Sequence, residues 1–200
     1  MRRASLALAL LLGGCFDLDA LTRGDLAAVR DAGSTDAGAD AALGADSGVS
    51  LCVGANLLGN ADLETGMLSP WGGFRTTALV ESADVHGGRF ALAVSGSAGE
   101  DWTVLQLLVL DVHKGDRFCA SGWVRGQDPI ELVVTQSSTL GGGIPGSGFI
   151  SDPSILAPRW QLLTLHLIAN VDSPALKIEL YDPAPTGTYL VDDVVLAHED

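Results

Sequence analysis

The 200-residue chain is short of basic residues, aromatics and cysteines. Eleven Lys and Arg stand against 25 Asp and Glu, a net charge of −14. Such an excess repels phosphate backbones and anionic headgroups, which argues against nucleic acid and against electrostatic adsorption to a membrane. Aromatics make up only 6% of the chain, so few rings are spare once a core is packed. The three cysteines form no CxxC or Cys/His cluster of the kind that holds zinc. No Gly-x-Ser-x-Gly elbow is present; Val94-Ser-Gly-Ser-Ala-Gly99 and Gly146-Ser-Gly148 fall short of it and read as turns. The Gly-rich run 141–148 lacks the Lys-Ser/Thr of a phosphate loop. His86, His113, His166 and His198 are scattered, with no helical i, i+4 pair. These absences point away from an enzyme. No apolar run is long enough to span a bilayer, and the longest, Ala4 to Leu12, is signal-sized.

That short run sits in an informative context. Arg2 and Arg3 precede it, and Leu12-Gly13-Gly14-Cys15 closes it. The arrangement resembles the lipobox of secreted bacterial lipoproteins. The resemblance implies cleavage after Gly14, acylation of Cys15 (palmitate among the chains) and a lipid bilayer as partner through that N-terminus. Phe16 rather than Asp follows Cys15, which resembles lipoproteins sent on to the outer membrane. Loss of Arg2 and Arg3 takes the net charge to −16. If Cys15 carries lipid, Cys52 and Cys119 remain, either paired in an oxidising compartment or as buried thiols.

Three stretches follow from composition: a signal peptide at 1–14, an acylated cysteine and linker at 15–50, and a folded domain at 51–200. Between 16 and 50, seven aspartates face only Arg23 and Arg30, and Asp31 to Asp40 is nearly all Ala, Asp, Gly and Ser. Such a segment cannot bury enough surface to offset backbone entropy, and its like charges extend it. Beyond it come strands. Phe90–Val94, Val104–Val112, Phe118–Arg125, Ile130–Gln136, Trp160–Ile168, Leu176–Tyr181 and Tyr189–Ala197 are rich in Val, Leu and aromatics and bounded by Gly, Pro, Asp and Ser. Leu176, Ile178 and Leu180 alternate with Lys177, Glu179 and Tyr181, one face buried and one wet. No amphipathic helix of ten or more residues intervenes. The expected fold is all-β, a sandwich, with 141–148 as a mobile loop.

Four pieces of the domain resemble the family 4/9-type carbohydrate-binding modules. They are Asn56-Leu-Leu-Gly-Asn-Ala-Asp-Leu-Glu64, His86-Gly-Gly-Arg-Phe-Ala-Leu92, Gly115-Asp-Arg-Phe-Cys-Ala-Ser-Gly-Trp-Val-Arg125, and Trp160-Gln-Leu-Leu with Tyr189-Leu-Val-Asp-Asp-Val194. The resemblance implies a jelly-roll β-sandwich of the galactose-binding-like class that binds a polysaccharide without catalysis. It also implies a structural Ca2+, with carboxylates from Glu64 and Asp192, Asp193 as a substitute, and backbone oxygens near Asp62 and Gly88. Asp192 shares strand parity with Leu190, Val194 and Leu196, which points it inward, where a carboxylate needs a partner.

A sugar platform needs flat rings and a few polar groups. Trp71 and Trp160 read as core. Trp123 shares parity with Cys119 and Ser121, opposite Phe118, Ala120 and Val124, so it faces out. Tyr181 lies on the wet face with Lys177 and Glu179, and Glu131, Thr135 and His166 are placed on the same broad surface. Trp102 caps the core or lines a loop, and Phe149 sits on the Gly-rich loop. The expected ligand set is Trp123, Tyr181, Glu131, Glu179 and Trp102. The second expectation, from the scarcity of rings, is a structural or protein-interaction module of the envelope without a sugar site.

Overall fold

The computed structural model describes residues 52–96, 102–153, 157–183 and 186–199, all within the unit Ala42–Asp200. The signal segment, Cys15 and the linker lie outside the described residues. Ten strands are present: β1 Gly72–Phe74, β2 Thr76–Glu81, β3 Ala91–Gly96, β4 Trp102–Val112, β5 Arg117–Gly126, β6 Glu131–Ser137, β7 Gly143–Ile150, β8 Ala157–Ile168, β9 Ser173–Asp182 and β10 Tyr189–Glu199. They make two antiparallel sheets. Sheet A runs β1-β4-β9-β6-β7, and sheet B runs β2-β3-β10-β5-β8. No described helix is long and apolar enough to cross a membrane.

Alternation sets the layers. Val104, Leu132, Val134, Leu176, Ile178 and Leu180 of sheet A meet Leu92, Val94, Phe118, Val124, Leu163, Val191 and Leu196 of sheet B in one core. Each such side chain stabilises by about 1.5–3 kcal/mol relative to exposure. Two buried glutamines are used as brackets. Gln106 exchanges two hydrogen bonds with the backbone of Gly59 (3.0 and 2.9 Å). Gln136 accepts from the Asn170 N–H at 3.0 Å and donates to the Val171 carbonyl.

Three strands depart from the sequence expectation. β1 and β2 are half-buried to exposed along their length, with no long hydrophobic run to announce them. The glycine-rich run is strand β7, paired with β6 at Val133↔Ile150 and Thr135↔Gly148, and not a loop. Its side-chain-poor stretch is held by Ser147, whose hydroxyl donates to the Gln136 and Ile144 carbonyls. Phe149 pairs in register with Val134 and packs against the core, so it cannot swing over a ligand.

A strap before β1 closes one side of sheet B. Cys52 is bridged to Cys119 with their Cα atoms 5.3 Å apart. Asn56 donates to the Val194 carbonyl and accepts from Leu58 and Leu196 N–H groups, and Leu57 N donates to Leu196 O. Asn60 accepts from Thr65 and donates to Met67 and Ser69 carbonyls, while its own carbonyl accepts from the Trp71 indole. Trp71 is buried accordingly.

Candidate functional site: two outer faces

Register assembles one candidate platform on the outer face of sheet A. Cross-strand partners share a face. Phe74 pairs with Thr103, Thr103 with Tyr181, and Tyr181 with Glu131, which makes one row across β1, β4, β9 and β6. The next rows hold Leu105–Glu179–Val133–Ile150 and Leu107–Lys177–Thr135–Gly148. Phe74 is 37% exposed and carries the Arg75 guanidinium 5.1 Å from its ring centroid. Tyr181 is half-buried, two strands or about 10 Å away. Lys177 and Glu179 pair at 3.1 Å, both side chains mostly covered. The structure therefore brings Tyr181, Glu131, Glu179 and Thr135 together, as expected of one wet face. Sequence reasoning misses Phe74 and Arg75: Phe74 ends a three-residue strand with no hydrophobic pattern to mark it, and Arg75 is the bend between β1 and β2, at φ 54°. The Trp102 backbone pairs with Asp182, and its side chain lies outside the described residues.

Trp123 does not join this group. It lies on β5, on the outer face of sheet B, opposite Asp192 and Leu162. Its indole stacks on His86, centroids 3.8 Å apart and planes within 16°. His86 in turn meets Asp193 through Nδ1 at 2.7 Å. One indole face is thus spent holding the 82–90 loop. Trp160 is not core either. It lies edge-on to His86 at 5.8 Å and lines a surface depression with Trp123, Asp152, Arg159 and Thr164. Its strand parity with Leu162 places it outward. His166 is also on sheet B, opposite Cys119, and away from Glu131 and Thr135.

The residues expected at calcium ring the 86–90 loop. Glu64 Oε1 accepts the N–H groups of Arg89 (2.7 Å) and Phe90 (2.9 Å), which hold its carboxyl below the usual range. A Cβ on Gly88 would fall on that carboxylate, and the residue has φ +62°, so glycine is required. Asp192 Oδ2 accepts from His86 N (2.8 Å) and Gly87 N (3.1 Å), and Oδ1 from Asp193 N. Asp62 accepts from Glu64 N. Burial pushes Asp192 up to about 6, against the pull of the amide donors.

Asp192 reaches this position by a route the simple alternation misses. A bulge between Asp192 and Val195, with Asp193 at φ 45°, lets Val191 and Val194 both point inward. Leu190 and Asp192 therefore face outward, and Asp192 is fully buried because the 82–90 loop covers it. Hard oxygen donors of this kind suit calcium; Glu64 Oε1 and Asp192 Oδ2 each already accept two N–H groups, so Glu64 Oε2 and Asp192 Oδ1 are the oxygens with lone pairs to spare. Among the described residues, Cys119, His166 and Glu199 also bring potential ligand atoms within 4.8 Å of one another, but the Cys119 sulfur is committed to the disulfide.

No protein-family model matches the sequence, and no curated protein is similar to it. Solved structures are. The bacteriophage CBA120 tailspike protein 4 enzymatically active domain superposes with TM-score 0.60 at 13% identity, over 72% of this chain but only 21% of its own. The CBM22-1 xylan-binding domain of Paenibacillus barcinonensis Xyn10C gives 0.55 at 19% identity, covering 72% of this chain and 95% of that one. TmCBM61, solved with β-1,4-galactotriose, gives 0.52 at 19%, covering 72% and 99%. The fold is that of a carbohydrate-binding-module jelly roll.

Proposed function

We propose that the domain binds a glycan chain, without catalysis, along the outer face of sheet A. The observation that carries this is the row Phe74–Thr103–Tyr181–Glu131. It sets two rings on separate strands, with Arg75 at one end and Glu131 at the other. Glu179 and Lys177 offer an acceptor and a donor in the adjoining rows. Rings stack on the apolar faces of pyranoses, and the charged groups bond their hydroxyls. The xylan and galactotriose named for the neighbours make plain, neutral polysaccharides the first ligands to try. Acylation of Cys15 would hold the module on the envelope, at the outer membrane, with residues 16–50 as spacer. Calcium would be held by Glu64 and Asp192, with Asp62, Asp193 and the Gly88 backbone beside it, and would lock the 86–90 loop.

A second reading is favoured by one observation. Val109 and Ile150 are 70% and 60% exposed on this same face, next to Leu105, Leu107 and Val133. A flat apolar face of that kind fits a protein partner. A glycan-array screen in calcium separates the two. Binding to a related set of sugars, lost in Tyr181→Ala with the thermal midpoint kept, supports the platform. A clean negative from folded protein sinks it and leaves the protein-partner reading. For calcium, a thermal midpoint that does not move with chelator removes the site.

A further inference from the structure

We infer that the Cys52–Cys119 disulfide is open to thiol exchange, and that Cys52 is the sulfur that forms a mixed disulfide with an incoming thiolate. The inference rests on a carboxylate–imidazole–sulfur line that sequence spacing hides. β10, β5 and β8 lie side by side in sheet B, and register sets Cys119 opposite both His166 and Ala197. His166 Nε2 is 3.9 Å from Cys119 Sγ. Its other ring nitrogen, Nδ1, is 2.9 Å from Glu199 Oε1. The carboxylate orients the imidazole, and the remaining nitrogen faces the sulfur.

The two sulfurs differ in exposure and in neighbours. Cys119 is fully buried under the strap, whereas Cys52 is 7% exposed and is followed by the open Val53. An external thiolate therefore meets Cys52 first. Attack forms a bond between the incoming sulfur and Cys52 Sγ, and the Cys52–Cys119 bond breaks. The electron pair goes to Cys119 Sγ, which takes the proton from His166 Nε2. A sulfur that receives a proton as it departs leaves faster than one that must carry the full charge away. His166, with its side chain 57% exposed, regains its proton from water. In the rows beside Cys119 the other charged group is Arg117 of β5, in register with Glu199 and Ile168. Ser121 and Thr164 lie on the far side of Cys119 and carry no charge. Glu199 is a positioning residue, since it reaches the sulfur only through the ring.

The incoming group is a thiol, of a small molecule or of a protein. Glutathione serves as the probe on the full chain. After brief exposure at pH 6.5 and acid quenching, peptide mass spectrometry should find glutathione on Cys52 and a free thiol at Cys119. Reduction by dithiothreitol at that pH should slow about tenfold in His166→Ala and less in Glu199→Gln, and the difference should shrink as pH rises, because the step spends a proton on the departing sulfur. Oxidised variants with matched thermal midpoints separate this from loss of folding, and His166→Gln replaces His166→Ala if that variant fails to fold. Glutathione found on Cys119, or reduction rates unchanged in both histidine variants, overturns the inference.

Discussion

The two outer faces of the sandwich are treated differently. The outer face of sheet B is roofed: the strap from Cys52 to Ala61 bonds along β10, and the 82–90 loop sits on Asp192 and Trp123. The outer face of sheet A carries side chains that cover one another only in part, with Phe74, Tyr181, Val109 and Ile150 reaching solvent. The difference teaches where to look for function. Polar groups on the roofed face are consumed by backbone donors of the roof itself. Those on the open face, such as the Lys177–Glu179 pair, bond sideways and leave the surface approachable. The two faces also divide the aromatic side chains: Trp123 and Trp160 are on sheet B, where they line a surface depression, and Phe74 and Tyr181 are on the proposed platform of sheet A.

Variants that strip the roof should act on stability, and variants of the open face on binding. The largest effect belongs to Cys52→Ser with Cys119→Ser. The bridge closes a loop of 67 residues, worth about 4 kcal/mol in the chain-entropy picture. Denaturant unfolding under oxidising conditions should show that loss with glycan affinity intact. Trp123→Ala should follow, at about 3 kcal/mol, by unseating His86 and the 82–90 loop. Retained glycan binding in that variant would confirm the division of labour, and lost binding in a folded protein would erase it. Asn56→Ala leaves the Val194 carbonyl and two N–H groups unmet and should cost about 1–3 kcal/mol by the same assay. Tyr181→Ala should cost under about 1 kcal/mol in stability, yet weaken glycan binding at least about tenfold by titration calorimetry.

The smallest effect sharpens the comparison with pH. Glu81 accepts from the backbone N–H groups of Ala83 and Ser82 at the edge of sheet B, which lowers its pKa below 4.5. A carboxyl lowered in the folded state stabilises above its unfolded pKa and loses that contribution as pH falls through the folded value. Because Glu81 is only partly buried and screened by solvent, the acid side of the stability curve should shift only slightly in Glu81→Gln, and a thermal scan from pH 5 to pH 2 would detect it.

Much of the roof could be read from the chain. The letters shared with carbohydrate-binding modules, Asn56, Asn60, Glu64, His86 and Asp192, are those that hold strap and loop to the sheet. Their chemistry is local, a side chain meeting a backbone a few ångströms away, and it leaves a recurring pattern. The seven hydrophobic runs appear as strands because their alternation is enforced by burial. The platform was legible only in its centre: Tyr181, Glu179 and Glu131 lie on regularly alternating strands, so parity alone places them. Phe74 ends a strand too short to show a period, and Arg75 lies in the bend after it. Asp192 was assigned the wrong face because a bulge changes parity without any glycine or proline to announce it. Trp123 was given the right face but the wrong neighbours, since parity does not say which sheet a strand joins.

The disulfide also decides how the domain would carry tension. A pull arriving along the chain at Cys52 passes straight through the bridge into β5, in the body of sheet B between β10 and β8. Everything between Cys52 and Cys119, including β1 to β4, lies within the covalent loop and off the covalent path of that load. On a tethered module gripping an immobile polymer, the tether would therefore not pull on the chain leading into Phe74 and Arg75, and that edge of the platform would be loaded only through the polymer it holds.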